Sequence, residues 1–178
     1  MKTKTIAMVK HPRELVWETV RDRMPEIVRL LDDIESVTPT SRDLARDGTV
    51  HIVNIWKARP DLPAVVRSRL DAKMLAWTDR SSWSAKKFEC KWRIEPHFFA
   101  DRVKSKGITR YEPAMGGRGT RVTFEGVLEL SAVDLPGVPA VFEGAVLAGV
   151  ETFLGVLIPK NFRKLIDATA KLLEGNGN

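Results

Sequence analysis

The spacing of apolar positions divides this chain into a helical start, a long strand-like middle and an apolar helical end. Residues 3–9, TKTIAMV, read as a first strand. His11-Pro12 opens a helix, with Pro12 at its first position, where a missing N–H costs nothing, and Glu14 in its first turn. Leu15, Val16, Thr19 and Val20 form its apolar stripe. Pro25 interrupts the pattern, and Glu26, Ile27, Leu30, Leu31 and Ile34 resume it as a second short helix.

From Val37 the period falls from that of a helix to that of a strand. VTPTSRDLA is a strand and Asp47-Gly48 marks a turn. VHIVNIWKA follows, with Val50, Ile52, Asn54 and Trp56 on one face. Residues 59–70, RPDLPAVVRSRL, read as a loop with one or two helical turns, either a gate beside a ligand entrance or a plain connection. KMLAWTDR (73–80) and KKFECKWRIE (86–95) are strands joined by SSWS. In the second, Phe88, Cys90, Trp92 and Ile94 alternate with charged residues, the mark of a half-buried antiparallel strand. Residues 101–111 put Val103, Ser105, Gly107, Thr109 and Tyr111 on one face. PAMGGRG is a turn, since strands flank it and a phosphate-cradling loop needs a following helix. Residues 120–130 turn Val122, Phe124, Gly126, Leu128 and Leu130 inward.

Residues 137–173 close the chain. Val141, Phe142, Ala145, Ala148, Gly149, Thr152, Phe153 and Val156 recur at helical spacing, while Glu143 and Glu151 point off that face. Pro159 kinks the helix or ends it and starts another. Gly144, Gly149 and Gly155 each cost a helix roughly 1 kcal/mol against Ala, which suggests close packing or empty space beside it. A membrane span is disfavoured, because two buried glutamates would each cost about 3 kcal/mol at the bilayer centre.

Helices segregated from strands argue α+β, and consecutive strands with short turns argue an antiparallel sheet. The expected architecture is a curved sheet of about six or seven strands wrapped around a long C-terminal helix, with two short helices after the first strand. A length of 178 residues fits one domain spanning 1–178, and 43% hydrophobic with 29% charged residues is globular. The formal charge of +6 suits transient contact with an anionic membrane. The basic residues are interspersed with acids, unlike a nucleic-acid footprint. Cys90 is the only cysteine, so no internal disulfide forms, and MKTKTIAMVKHPRE lacks the apolar core of a secretory signal, which places the chain in the cytoplasm.

This order resembles the helix-grip fold of the START and birch-pollen-allergen superfamily, also called SRPBCC or polyketide-cyclase-like. MPEIVRLLDDIESV followed by DGTVHIVNIWKA is similar to the second helix and the two strands after it in bacterial members, and LPAVVRSRL is loosely similar to PRELI-type lipid-transfer relatives. The resemblance implies a hydrophobic cavity between sheet and C-terminal helix. It also implies binding of lipids, sterols, polyketides or plant hormones, with cyclisation in some members. It supplies no catalytic motif that maps onto residues here.

The candidates to line such a cavity are Asn54, Trp56, Trp92, Ser105, Thr109, Tyr111, Phe124, Phe142, Val146 and Phe153. Asn54, Ser105, Thr109 and Tyr111 are its polar members, suited to orient a ligand or equally to bond within a filled core. Cys90 reads as a small buried apolar residue. No His, Cys, Asp and Glu cluster has metal-ligand spacing, so neither metal nor cofactor is expected. Three readings stay open. One is a carrier or sensor for a hydrophobic small molecule. Another is a cyclase- or hydratase-type enzyme using the same cavity, with Tyr111 the best inward acid or base. The third is an interaction module whose cavity is filled.

Overall fold

Strict alternation through the middle of the chain gives each strand one dry and one wet face, and pairing the dry faces builds a single curved layer. The computed structural model describes residues 1–59, 75–97, 103–130 and 140–175, and for 130 and 140–157 the backbone alone. The elements are β1 (Lys2–Val9), α1 (Arg13–Asp22), α2 (Met24–Val28), β2 (Ile34–Leu44), β3 (Val50–Ala58), β4 (Ala76–Ser84), β5 (Glu89–Pro96), β6 (Val103–Ala114), β7 (Gly119–Leu130) and α3 (Ala140–Gly175). The seven strands form one antiparallel sheet in the order β1-β7-β6-β5-β4-β3-β2. The α+β architecture is the expected one, with α3 against β1, β7, α1 and α2.

Several boundaries differ from expectation. The segment SSWS is not a turn. It completes β4, and the reversal comes at 85–88, where Phe88 takes φ 50. A left-handed phenylalanine costs roughly 1–2 kcal/mol, and its environment holds it there. Its ring meets Trp17 edge-on at 5.5 Å, and the Arg13 guanidinium lies 3.7 Å from its centroid. The second helix stops at Val28, so Leu30 is exposed and Ile34 begins β2. On α1, Leu15 is exposed and Trp17 is buried in its place.

Pro159 neither ends α3 nor splits it. The proline removes one backbone hydrogen bond, and the residue its ring crowds is Gly155, which has no side chain to add to the clash. Beyond it, Phe162, Ile166, Thr169 and Leu173 keep one buried stripe on the sheet side. Lys164 adds an ion pair to Asp33 at 2.7 Å, ahead of β2. Tertiary packing therefore carries the helix through its weak point.

The interior has two aromatic groups. Beneath α1, Trp17 stands edge-on to Trp83 at 5.9 Å, and Trp83 lies 6.3 Å from Tyr111. Val16, Val20, Ile27 and Val122 fill the remaining space. Towards α3, Trp92 stacks on Phe124 at 4.7 Å, and Phe124 meets Phe162 of α3 at 5.0 Å. Trp92 lies against Gly107 and Gly126, which sit opposite each other on β6 and β7. A Cβ on Gly126 would come 2.7 Å from Cη2 of Trp92, and one on Gly107 would strike the same ring and the Glu125 carbonyl.

Two stability outcomes follow from this packing. Gly107→Ala is expected to cost about 1–3 kcal/mol by overpacking, while Gly175→Ala, with open space around it, changes stability little. Urea denaturation of both variants checks this, and equal midpoints would mean that the indole is not seated on the glycine pair. Trp17→Ala is expected to cost about 3–5 kcal/mol as a cavity in a filled region, read in the same titration.

Candidate functional site

Register places the inward side chains of the sheet in transverse rows. One row runs Asn54, Asp79, Ile94, Ser105, Leu128 across β3, β4, β5, β6 and β7. The next runs Ile52, Ser81, Trp92, Gly107, Gly126 and Thr3. Beyond it lie Val50, Trp83, Cys90, Thr109, Phe124 and Thr5. On the other side of the first row, Trp56 stacks on Trp77 at 5.7 Å with ring planes 12° apart. The Asp79 row is thus a polar band between aromatic pairs.

Asp79 is the unexpected member. Directly opposite residues of an antiparallel pair lie about 5 Å apart, which puts its carboxyl beside the Asn54 amide. Among the described residues it has no hydrogen-bond or ion-pair partner. By surface it is only half-buried. It lies on the inward face of β4, between Asn54 of β3 and Ile94 of β5. Burial without a partner penalises the anion and pushes its pKa up to about 7.

Two neighbouring groups are pushed the same way. Burial raises the Cys90 thiol well above its usual value, and the charge of Asp79 adds to the rise. Burial likewise raises the Tyr111 phenol, with a smaller contribution from Cys90. Cys90 therefore sits as a protonated thiol, buried and close to the Lys91 carbonyl at 3.8 Å.

The sequence candidates fall into three sets. Asn54 and Ser105 share the row of Asp79, and both are buried. Trp56, Trp92, Phe124 and Thr109 flank that row, with Trp92 and Phe124 in one stack. Tyr111 lies six residues along β6 from Ser105, about 20 Å of strand, packed near Trp83 in the filled end. The side chains of Phe142, Val146 and Phe153 on α3, and residues 60–70 of the suggested gate, lie outside the described residues.

Several buried polar atoms of the interior lack partners. Among the described residues, Nε1 of Trp56 and of Trp92, Oγ1 of Thr5 and Oδ1 of Asn161 are buried without a hydrogen-bond partner, as is Nε1 of Trp17 in the packed end. A small, partly open cavity of about 40 Å³ lies against Trp92, Ser105, Phe124, Leu128 and Ile158 of α3. That volume holds a water or one small group of a ligand. Among the described residues, no group of three metal-ligating side chains occurs. None of their helices is long and apolar enough to cross a membrane.

Ending β4 at Arg80, as its turn-like composition suggests, conceals Asp79. With the strand carried on to Ser84, the alternation Trp77, Asp79, Ser81, Trp83 sets an acid between tryptophans on the dry face. That pattern is present in the sequence.

No protein-family model and no curated protein matches the sequence. Solved structures do match. A protein of Thermus thermophilus superposes with a TM-score of 0.69 at 16% identity, covering 100% of both chains. The Zhui aromatase/cyclase of Streptomyces sp. R1128 gives 0.65 at 15% identity, covering 100% of this chain and 98% of that one. A START superfamily protein of Mycobacterium smegmatis gives 0.56 at 10% identity, over 98% and 97%. At such identities the likeness concerns architecture. With its seven-stranded antiparallel sheet gripping a C-terminal helix, the chain has the helix-grip fold of the START and birch-pollen-allergen (SRPBCC) superfamily.

Proposed function

We propose that the chain binds a hydrophobic small molecule, of lipid, sterol or polyketide type, in the interior between the sheet and α3. The observation that supports this reading is the band of Asn54, Asp79 and Ser105 between Trp56–Trp77 and Trp92–Phe124. Rings supply affinity through apolar burial, about 25 cal/mol per Å² removed from water. A few polar groups fix orientation. A protonated Asp79 donates to a ligand carbonyl, Asn54 both donates and accepts, and Ser105 completes the row. The unpartnered indole N–H groups offer further donors.

A second reading is an enzyme of the cyclase type, and Asp79 favours it. A carboxyl with a pKa of about 7 is matched to proton transfer at neutral pH. In that reading the Asp79 carboxylate takes a proton from a carbon next to a ligand carbonyl, and the Asn54 amide N–H donates to the enolate oxygen that results. The enolate carbon attacks a second carbonyl of the same molecule, and Asp79 returns the proton to the alkoxide formed. The Streptomyces neighbour is named an aromatase/cyclase, which agrees with this alternative at the level of fold.

Native mass spectrometry of the purified protein, then organic extraction, is the direct test. A stoichiometric apolar or aromatic compound is expected. An empty protein that also fails to bind a fluorescent fatty acid or sterol would overturn the reading in favour of a filled interaction module. Asp79→Asn separates carrier from enzyme: it retains apolar binding in both and loses turnover of a poly-carbonyl substrate only in the second.

Asp79 also fixes a pH dependence. Its folded pKa is raised above the unfolded 3.8 to about 7, so between these values the folded state holds the extra proton. Its contribution is full below the unfolded pKa and is lost as pH rises through 7, by an upper limit of about 4 kcal/mol. Asp22 and Glu125, whose pKa values are lowered by arginine and lysine partners, give the opposite slope in both proteins. Asp79→Asn relative to wild type is therefore expected to gain stability from pH 4 to pH 8. Urea titrations at the two pH values check it, and a constant difference would mean that Asp79 is ionised in contact with water.

A further inference from the structure

The outer face of the same strands has its own chemistry. Alternation sends Lys91, Lys106, Ile108, Val127 and Lys2 away from the interior that holds Trp92, Ser105 and Phe124. Register then gathers them: Lys2 lies opposite Val127, Val127 opposite Lys106, and Ile108 opposite Lys91. With strands about 4.8 Å apart and Lys2 and Lys91 three strands from each other, the three lysines rise from an area roughly 15 Å across. They frame an open hollow of about 770 Å³. Thr3, Trp92, Gly107, Gly126 and the Lys4–Glu125 ion pair also border it, and Ile108 and Val127 are its aliphatic side chains.

The charges of this face are unevenly satisfied. Lys4 is held by Glu125 at 2.7 Å, and Arg110 bonds Glu125 at 2.6 Å and Glu89 at 3.3 Å. Glu125 and Glu89 are thus engaged, and the exposed Glu129 stands at the end of this face, opposite Lys104. Lys2, Lys91 and Lys106 are exposed and, among the described residues, make no ion pair. Exposed Lys104 extends the strip along β6. Like charges grouped without counter-ions repel one another in the folded chain. An anionic partner would relieve that repulsion.

We propose that this hollow is the face on which the protein docks to an anionic lipid bilayer. Ammonium groups reach the lipid phosphates while the lysine stems, Ile108 and Val127 meet the boundary with the acyl chains. Charge complementarity carries the assignment, in a chain of net charge +6. The hollow is shallow and spans four strands, so it meets a surface rather than enclosing a solute. The inference rests on the proposed apolar ligand for its purpose, since membranes are where such ligands reside, and not for its geometry.

Vesicle flotation tests it, using phosphatidylcholine vesicles with and without phosphatidylglycerol at about 0.1 M salt, where charges are screened beyond about 10 Å. The wild type is expected to float with the anionic vesicles only, and to be released at high salt. Lys91→Glu/Lys106→Glu is expected to lose roughly tenfold or more in partitioning. Lys86→Glu/Lys87→Glu, an equal charge change on the exposed β4–β5 turn, should lose much less. Equal loss in both variants, or no wild-type binding, overturns the proposal. Binding of a soluble short-chain phosphatidylglycerol as tightly as of vesicles also overturns it, assigning the hollow to a dissolved anion. Interior binding of a fluorescent fatty acid, measured on the same variants without vesicles, reports the cavity reading separately. Its failure with vesicle docking intact refutes that reading alone.

Discussion

The grip closes through one stack of rings. Two glycines that face each other across β6 and β7 leave room for the Trp92 indole against the backbone. Phe124 lies on Trp92, and Phe162 of α3 lies on Phe124. Sheet and helix are therefore joined by aromatic contacts that begin at a missing pair of side chains. Any side chain at Gly107 or Gly126 would displace the indole, and with it the surface on which α3 rests. The stack meets the helix just beyond Pro159, where its own hydrogen bonding is interrupted, and the Lys164–Asp33 ion pair lies alongside.

That stack also divides the interior. On one side, Trp17, Trp83, Phe88 and Tyr111 pack edge to face with aliphatic residues, and dispersion and apolar burial account for what is found. On the other side stand Asn54, Asp79 and Ser105. An unpaired carboxyl there adds nothing to stability once ionised. Asp79 is cheap to keep only as the neutral acid or with something bound beside it. The same burial that makes it a stability liability above neutral pH makes it a useful hydrogen-bond donor or proton carrier below it.

Period-two patterning made most of the sheet legible, including which way Asn54, Trp92, Ser105 and Phe124 point. The alternation is a direct consequence of backbone geometry and needs no tertiary knowledge. What misled was local. SSWS has turn composition, yet Trp83 is drawn into the core by Trp17, a contact from a helix more than sixty residues earlier. Cutting β4 short hid the facing of Asp79. Leu15 looked like core and Trp17 did not, because a helix stripe defined by spacing alone leaves its rotation free by one residue. At Pro159 the sequence allows a kink or an end, and the end does not occur, because propensity predicts a cost and cannot see the packing that offsets it.

The two faces of the sheet cannot be assigned independently. A slip of one residue in β5 or β6 would turn Lys91, Arg93, Lys104 and Lys106 into the interior and push Cys90, Trp92, Ser105 and Thr109 into water. Burying even one unpaired ammonium costs several kcal/mol, and exposing Trp92 would lose the stack on which α3 sits. The charge on the outer face thus specifies register as firmly as the rings on the inner one. From β3 to β7, Asp79 is the one charged side chain in the inward rows described, and it stays there because a carboxyl, unlike the lysines outside, can shed its charge near neutral pH. The polar band inside and the basic hollow outside are consequences of one register.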